Sequence, residues 1–288
     1  MKTFFIAILI LFFSAAASAQ QKSPGSDSID VIRYSINIDT LDIAAKQLYG
    51  YTDIYFQPKV NNLQYIPLDL LELNVDQVYL ESTLNTTWTY NDTLLMIQSP
   101  VALAGNDTFH LKIFYHGSPV IDPSGWGGFY FQSPYAYNLG VGFEDNPHNY
   151  GRVWFPCIDD FTDKAFYEII VRTDTNQMAV CGGMLTDSTH IENADSIAWT
   201  WTMAEPIPTY LASIAVGPYI CITDTFNGMN GNIPIDIYVS SSYVAKVPGT
   251  FINIKDVLAA FENRFGPYMW NVWDMLVYLS IQAPWNTP

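Results

Sequence analysis

The stretch GVGFEDNPHNYGRVWFPCIDDFTDKAFYEIIVRT, beginning at Gly140, concentrates the side chains with chemical capacity in this chain. Glu144 and His148 stand four positions apart, the spacing that sets two metal ligands on one face of a helix. Pro147 lies between them and breaks such a helix, so the two are discarded as a metal pair. On the residues alone, the plainer reading of Glu144 is a loop carboxylate before a turn. Arg152, Asp159, Asp160 and Lys164 follow closely, and charges this dense usually pair with one another beneath a loop. His110 and His116 fall on the outward face of one strand and are expected to be solvated. The chain contains no His-Glu-x-x-His, no Gly-x-Ser-x-Gly, no phosphate loop and no dinucleotide-binding glycine pattern. By itself it offers no complete catalytic constellation.

Positioning these groups falls to strands. From residue 31 to about 220 the dominant period is two: Tyr34, Ile36 and Ile38 share one face of RYSINID while Arg33, Ser35 and Asn37 share the other. TFHLKIFYHG places Phe109, Leu111, Ile113 and Tyr115 inward, and turn clusters such as Asp122-Pro123-Ser124-Gly125 separate the runs. Short alternating runs at this spacing predict a mostly β protein built on a large antiparallel β domain. Composition agrees. Of the 288 residues, 49% are apolar, 14% are charged and 15% are aromatic, which excludes a disordered chain and favours strands. The formal charge of -16 repels phosphate backbones and anionic membranes, so nucleic acid is not an expected partner.

The two ends read differently. Lys2, the apolar run TFFIAILILFF and the small-x-small site Ala17-Ser18-Ala19 form a secretion signal over residues 1-19, too short for a stable membrane span. Export is therefore expected, to the periplasm, cell surface or exterior, with residues 20-30 as a flexible lead-in. Cys157, Cys181 and Cys221 allow at most one disulfide there, and their apolar surroundings favour buried free thiols. Near residue 234 the pattern changes. IPIDIYVSS is one more strand, and GTFINIKDVLAAFENRFG takes a helical period with Phe251, Ile254, Val257, Leu258, Phe261 and Phe265 on one face. Gly266 and Pro267 end that helix. A β domain over 31-233 is thus followed, over 234-270, by the beginning of a unit with too few residues for a core of its own.

The Gly140 stretch, with its aromatic-Glu pair, its Arg and its Trp-Phe-Pro-Cys-x-Asp, resembles the N-terminal domain of the aminopeptidase N family of zinc metallo-aminopeptidases. MAVCGGML, EPIPTYLASIAVGPY, IDIYV and FENRFGPYMWN resemble further family segments in the same order, so the likeness spans roughly residues 30 to 270. The resemblance implies a saddle-shaped β domain packed on a thermolysin-like α/β catalytic domain. It implies that Glu144 holds the free α-amino group of a peptide substrate, an orientation an exopeptidase requires. The family often has Gln where this chain has Gly142, which puts one substrate contact in doubt. It implies zinc in the intact enzyme, held by a His-Glu-x-x-His motif and a later glutamate, with peptide N-termini as the partners. No metal ligand and no catalytic residue of that set is among these 288 residues, so none is expected to be bound or used here.

NVWDMLVYLSIQAPWNTP, residues 271-288, keeps neither period. Shifted by one base, its codons admit R-V-G-Y-V-G-V-P-F-N-P-G-A-M-E-H-A, which resembles the family's strand and substrate loop. Trp273-Asp274 and Trp285-Asn286 force the glycine and the glutamate. The expectation is a reading-frame shift near Asn271. The chain is then the substrate-side part of an exported zinc aminopeptidase that removes N-terminal residues from peptides, inactive as given. The alternative is a secreted β-sandwich module binding peptides or carbohydrates through surface aromatics such as Trp126, Phe129 and Tyr130.

Overall fold

The computed structural model describes residues 22–269 and 273–276, apart from 145, 147 and 193. The secretion signal expected over 1-19, and all of the 271-288 tail except 273–276, lie outside the described residues.

The first half of the chain forms β1 (Ile29–Asp42), β2 (Gln47–Pro58), β3 (Leu63–Asp69), β4 (Asn74–Leu80), β5 (Thr83–Asn85), β6 (Trp88–Tyr90), β7 (Leu94–Leu103) and β8 (Phe109–Gly117). Then come β9 (Gly128–Gln132), β10 (Tyr135–Leu139), β11 (Lys164–Asp174), β12 (Met178–Cys181), β13 (Met184–His190), β14 (Ser196–Pro208) and β15 (Ile214–Gly217). The last strands are β16 (Tyr219–Gly228), β17 (Gly231–Ser240) and β18 (Trp273–Leu276), with a helix at Ile254–Phe265 before β18. Eight strands make the large sheet, in the order β13-β14-β11-β1-β2-β8-β4-β5. Three smaller sheets run β12-β15-β10-β9, β3-β7-β6 and β16-β17-β18. Among the described residues no helix is long and apolar enough to cross a membrane.

The inward residues read from the sequence are buried, though in the middle of β1 the opposite face is covered too, with Ser35 and Asn37 also buried. Along β1, Tyr34, Ile36 and Ile38 are buried, and along β8 so are Leu111, Ile113 and Tyr115. The opposite face carries cross-strand aromatic pairs. Tyr49 stacks on His116 at 5.4 Å and Tyr55 on His110 at 4.8 Å. The two histidines face outward yet are engaged: His110 Nε2 lies 2.7 Å from Asp53 Oδ1 and His116 Nδ1 lies 2.9 Å from Asp76 Oδ2. Pairs of this kind stabilise a solvated sheet face. One feature departs from a purely antiparallel sheet: β1 and β11 run parallel, with Arg33 opposite Phe166 and Ile38 opposite Val171.

The chain between β10 and β11 is drawn into this core. Trp154, Phe155 and Cys157 are fully buried, Phe155 meets Tyr34 edge-on at 5.5 Å, and Ile158 N–H donates to the Tyr34 hydroxyl at 3.0 Å. The lead-in expected at 20–30 is folded from Lys22 onward. It forms consecutive turns in which Ser23 and Ser26 are buried, because Ser23 reaches the Asp69 carboxylate and Lys59 Nζ donates to the Ser26 carbonyl at 2.9 Å.

The C-terminal unit is small but has its own apolar cluster, formed by Phe226, Ile233, Ile235, Ile237, Val239, Val247 and Leu258. The division expected between 233 and 234 falls inside the β16–β17 hairpin, whose strands pair along their whole length. β18 adds to β17 in parallel, Ile235 opposite Trp273. Strand, helix and parallel strand in succession open an α/β arrangement. The helix departs from the sequence reading in its packing. Leu258 is buried, whereas Val257, Phe261 and Phe265 are exposed, since only one side of the helix meets the hairpin.

Candidate functional site

Glu144 lies at the tip of a loop that leaves β10 and returns to the buried Tyr150. Two backbone contacts close it: Gly142 N–H donates to the His148 carbonyl at 2.9 Å, and Tyr150 N–H to the Gly140 carbonyl at 2.7 Å. A bridge between Val141 and Asn149 completes the narrow base. The Glu144 side chain is exposed, and no hydrogen bond or ion pair engages its carboxylate among the described residues.

Beneath the tip stands Asp122, which is fully buried. Its carboxylate accepts the Glu144 N–H, at 3.2 Å to Oδ2 and 3.4 Å to Oδ1, and the Ser124 N–H at 2.9 Å to Oδ1. The Ser124 hydroxyl donates to the same Oδ1. Asp122 thereby joins two segments, the turn from 122 to 128 and the tip of the Glu144 loop. Glycine makes their approach possible. Gly127 has φ +112, and a Cβ there would fall 1.7 Å from the Val141 carbonyl oxygen. Gly142 is buried and contributes no side chain toward a ligand. The Asp122 carboxylate stands in the adjoining space.

The charges that follow in sequence are paired below the loop. Arg152 Nη1 donates to Asp159 Oδ2 at 3.1 Å and to the Asn149 carbonyl at 3.0 Å. Thr209 Oγ1 donates to Asp159 Oδ1 at 2.6 Å, and Asp159 N–H to Asp69 Oδ2 at 2.9 Å. Asp160 accepts from Thr162 N–H and Oγ1 at 2.9 and 2.7 Å. Burial raises the Asp159 carboxyl above the ordinary range even against the Arg152 guanidinium. Asp69 is pushed up to about 6, again by burial, with the Ser23 hydroxyl and the Asp159 N–H pulling the other way. Lys164 differs from its neighbours: it is exposed at the start of β11 and makes no ion pair among the described residues.

Asn146 on the return of the loop, with Tyr150, Arg152, Asp159, Asp69 and Lys22, lines a cleft of about 720 Å³. That is within the range of small-molecule sites. The sequence reading missed both the cleft and Asp122. Asp122-Pro-Ser-Gly was legible as a turn, but a carboxylate bonded 22 residues ahead leaves no local signal. Of the aromatics proposed for a binding module, Trp126 is 44% exposed, Phe129 only 1%, and the Tyr130 hydroxyl donates to the Gly125 carbonyl at 2.9 Å. Phe129 cannot join such a surface, because β9 turns it into the core. Among the described residues no three His, Cys, Asp or Glu side chains are grouped to hold a metal ion. The described residues therefore do not fit a zinc site.

Known proteins share this fold. The peptidase M1 N-terminal domain profile matches residues 31–211. An M1 zinc metallopeptidase from Deinococcus radiodurans, solved with a Tyr-Ser-Ala substrate, superposes with a TM-score of 0.76 at 21% identity, covering 88% of this chain and 57% of the peptidase. Aminopeptidase A from Legionella pneumophila, with aspartic acid, gives 0.73 at 16% identity over 89% of this chain and 30% of its own. These likenesses show the shared fold. Rat aminopeptidase B is 26% identical over 145 residues, 50% of this chain and 20% of the relative. Transcription initiation factor TFIID subunit 2 from Gallus gallus is 19% identical over 232 residues, 66% of this chain and 19% of the relative. The chain spans about a fifth of the length of these curated relatives. With more than half of its residues matched, the chain belongs to the family of the peptidase M1 N-terminal domain.

Proposed function

We propose that this chain is the substrate-side portion of an exported zinc aminopeptidase, in which Glu144 holds the free α-amino group of a peptide. One observation carries the reading: an exposed carboxylate with no partner among the described residues, on a loop tip whose backbone is tied to a buried acceptor. A carboxylate held in place and left open is what an ammonium group requires. The secretion signal at residues 1-19 supports export. The M1 zinc metallopeptidase that shares the fold supports zinc in the intact enzyme, on residues other than those described. The fold alone does not carry the activity, since a transcription factor subunit is also among the relatives.

The test is a nuclear magnetic resonance titration of the mature chain with the tripeptide Ala-Ala-Ala and with its N-acetylated form. The free-amine peptide is expected to shift the resonances of residues 140–149, and the acetylated form to bind at least about tenfold more weakly. Glu144→Gln should remove that difference. Equal binding of the two peptides to the unaltered chain would overturn the assignment.

A further inference from the structure

We propose that Asp122 is the positioning residue for Glu144: an interior carboxylate that fixes the backbone of the amine-binding tip while Glu144 itself stays free for ligand. The inference rests on the reading of Glu144 given above. Three observations support it. Asp122 is fully buried, an unfavourable place for a carboxylate unless its oxygens are well supplied with donors. The Ser124 and Glu144 donors use its oxygens differently. Both Ser124 donors meet Oδ1, whereas the Glu144 N–H is shared between the two oxygens and leans toward Oδ2, at 3.2 Å against 3.4 Å to Oδ1. Finally, Oδ2 abuts Gly142. A Cβ at that position would stand 2.4 Å from Oδ2 and 3.0 Å from Cγ. The carboxylate therefore reaches Glu144 only because residue 142 has no side chain. Gly142 and Asp122 form one device, and the tip is held from below.

A plainer role for Asp122 is to shape the turn from 122 to 128, through its contacts with Ser124. The Ser124 donors rest on Oδ1 alone and the shorter Glu144 contact is to Oδ2, and that difference separates the roles. In Asp122→Asn the retained oxygen can keep both Ser124 bonds, while an amide nitrogen in place of Oδ2 sets a donor against the Glu144 N–H and leaves it only the longer contact, 3.4 Å, to the retained oxygen. The turn survives and the tip is loosened. A role confined to the turn leaves Glu144 unaffected.

The experiment is the Ala-Ala-Ala titration repeated on D122N, E144Q and the double variant, with a thermal melt of each. D122N is expected to weaken the peptide about tenfold and to move the Glu144 amide proton upfield. The double variant should bind no more weakly than E144Q alone, because Asp122 acts through Glu144 and the two effects do not add. Unchanged binding in D122N, or an equal loss when D122N is added to E144Q, overturns the inference. If D122N does not fold, G142A takes its place. Its Cβ displaces the carboxylate from the Glu144 amide and should give the same loss, and unaltered binding in G142A overturns the inference equally. E144Q distinguishes this failure from that of the underlying reading. If E144Q binds like the unaltered chain, Glu144 is not the amine holder. If E144Q weakens binding and D122N does not, only the positioning role falls.

Discussion

Asp163 is a carboxylate in an unfavourable place. Its side chain is 1% exposed, and the Lys59 Nζ stands 3.9 Å away. Burial pushes its carboxyl up to about 7, Lys59 opposing and Asp30 adding to the rise. Asp69 behaves alike at about 6. In both, the native state holds a proton that the unfolded chain, with an ordinary value of about 4, releases. The stability they contribute is therefore fully present below about pH 4 and is lost as the pH rises through about 6 and 7. Asp163→Asn keeps the shape and removes the buried charge. It should raise the midpoint of thermal unfolding at pH 8 by about 2–4 °C, the equivalent of roughly 1 kcal/mol in a domain of this size. Near pH 4 the gain should vanish. A gain of the same size at both pH values would show that charge burial at Asp163 is not the cause. None of this was legible from the sequence. DFTDKA places Asp163 beside a lysine at Lys164, yet the cation near it is Lys59, more than a hundred positions earlier.

At the scale of elements, the strands were legible because half-buried strands write their period into the sequence. Tyr34, Ile36 and Ile38 pointed inward, and the turns fell where Gly, Asn, Asp and Pro cluster. Pairing was not legible. That β1 takes β11 as a parallel neighbour is decided by packing across the sheet, and nothing in RYSINID encodes it. Of the candidate site, the Glu144 loop was legible through its motif, while its contact with Asp122 depends on two turns meeting in space. The helix gives a similar case. Its apolar period was plain, but its anchoring runs through a polar residue. Glu262 is 5% exposed, and its carboxylate accepts Met229 N–H at 2.8 Å and Tyr268 N–H at 2.9 Å. It ties the helix to the β16–β17 turn and to the residue after Pro267. Glu262→Ala leaves two amides without their acceptor, at a cost of about 1–3 kcal/mol. The effect should be local. Amide hydrogen exchange should quicken in 226–238 and 254–268 and stay unchanged in β1, β2 and β8. Uniform acceleration across both regions would mean that the C-terminal unit and the large sheet unfold as one.

For the whole molecule, the decisive feature is the apolar side of that same helix. Val257, Phe261 and Phe265 recur every four residues and so form one stripe, with exposures of 45%, 59% and 78%. Ile252 and Met269, at 74% and 67%, lie just beyond its ends. Phe261 and Phe265 pack on each other at 5.8 Å and leave the rest of their surfaces to water. Covering one such phenylalanine is worth roughly 1.5–3 kcal/mol, so two stripes meeting would recover several times that before the cost of association. Against this stands the formal charge of -16, which keeps copies apart at low ionic strength and is screened as salt is added. The chain should therefore self-associate with rising concentration, and more strongly at high salt than at low. Sedimentation velocity across both variables measures this directly. Phe261→Ser combined with Phe265→Ser removes the stripe without altering charge, and should return the chain to a monomer at every salt concentration. A monodisperse monomer of the unaltered chain at high concentration and high salt would show that the stripe does not drive assembly. Assembly that weakens with salt would place the contact at charged groups instead.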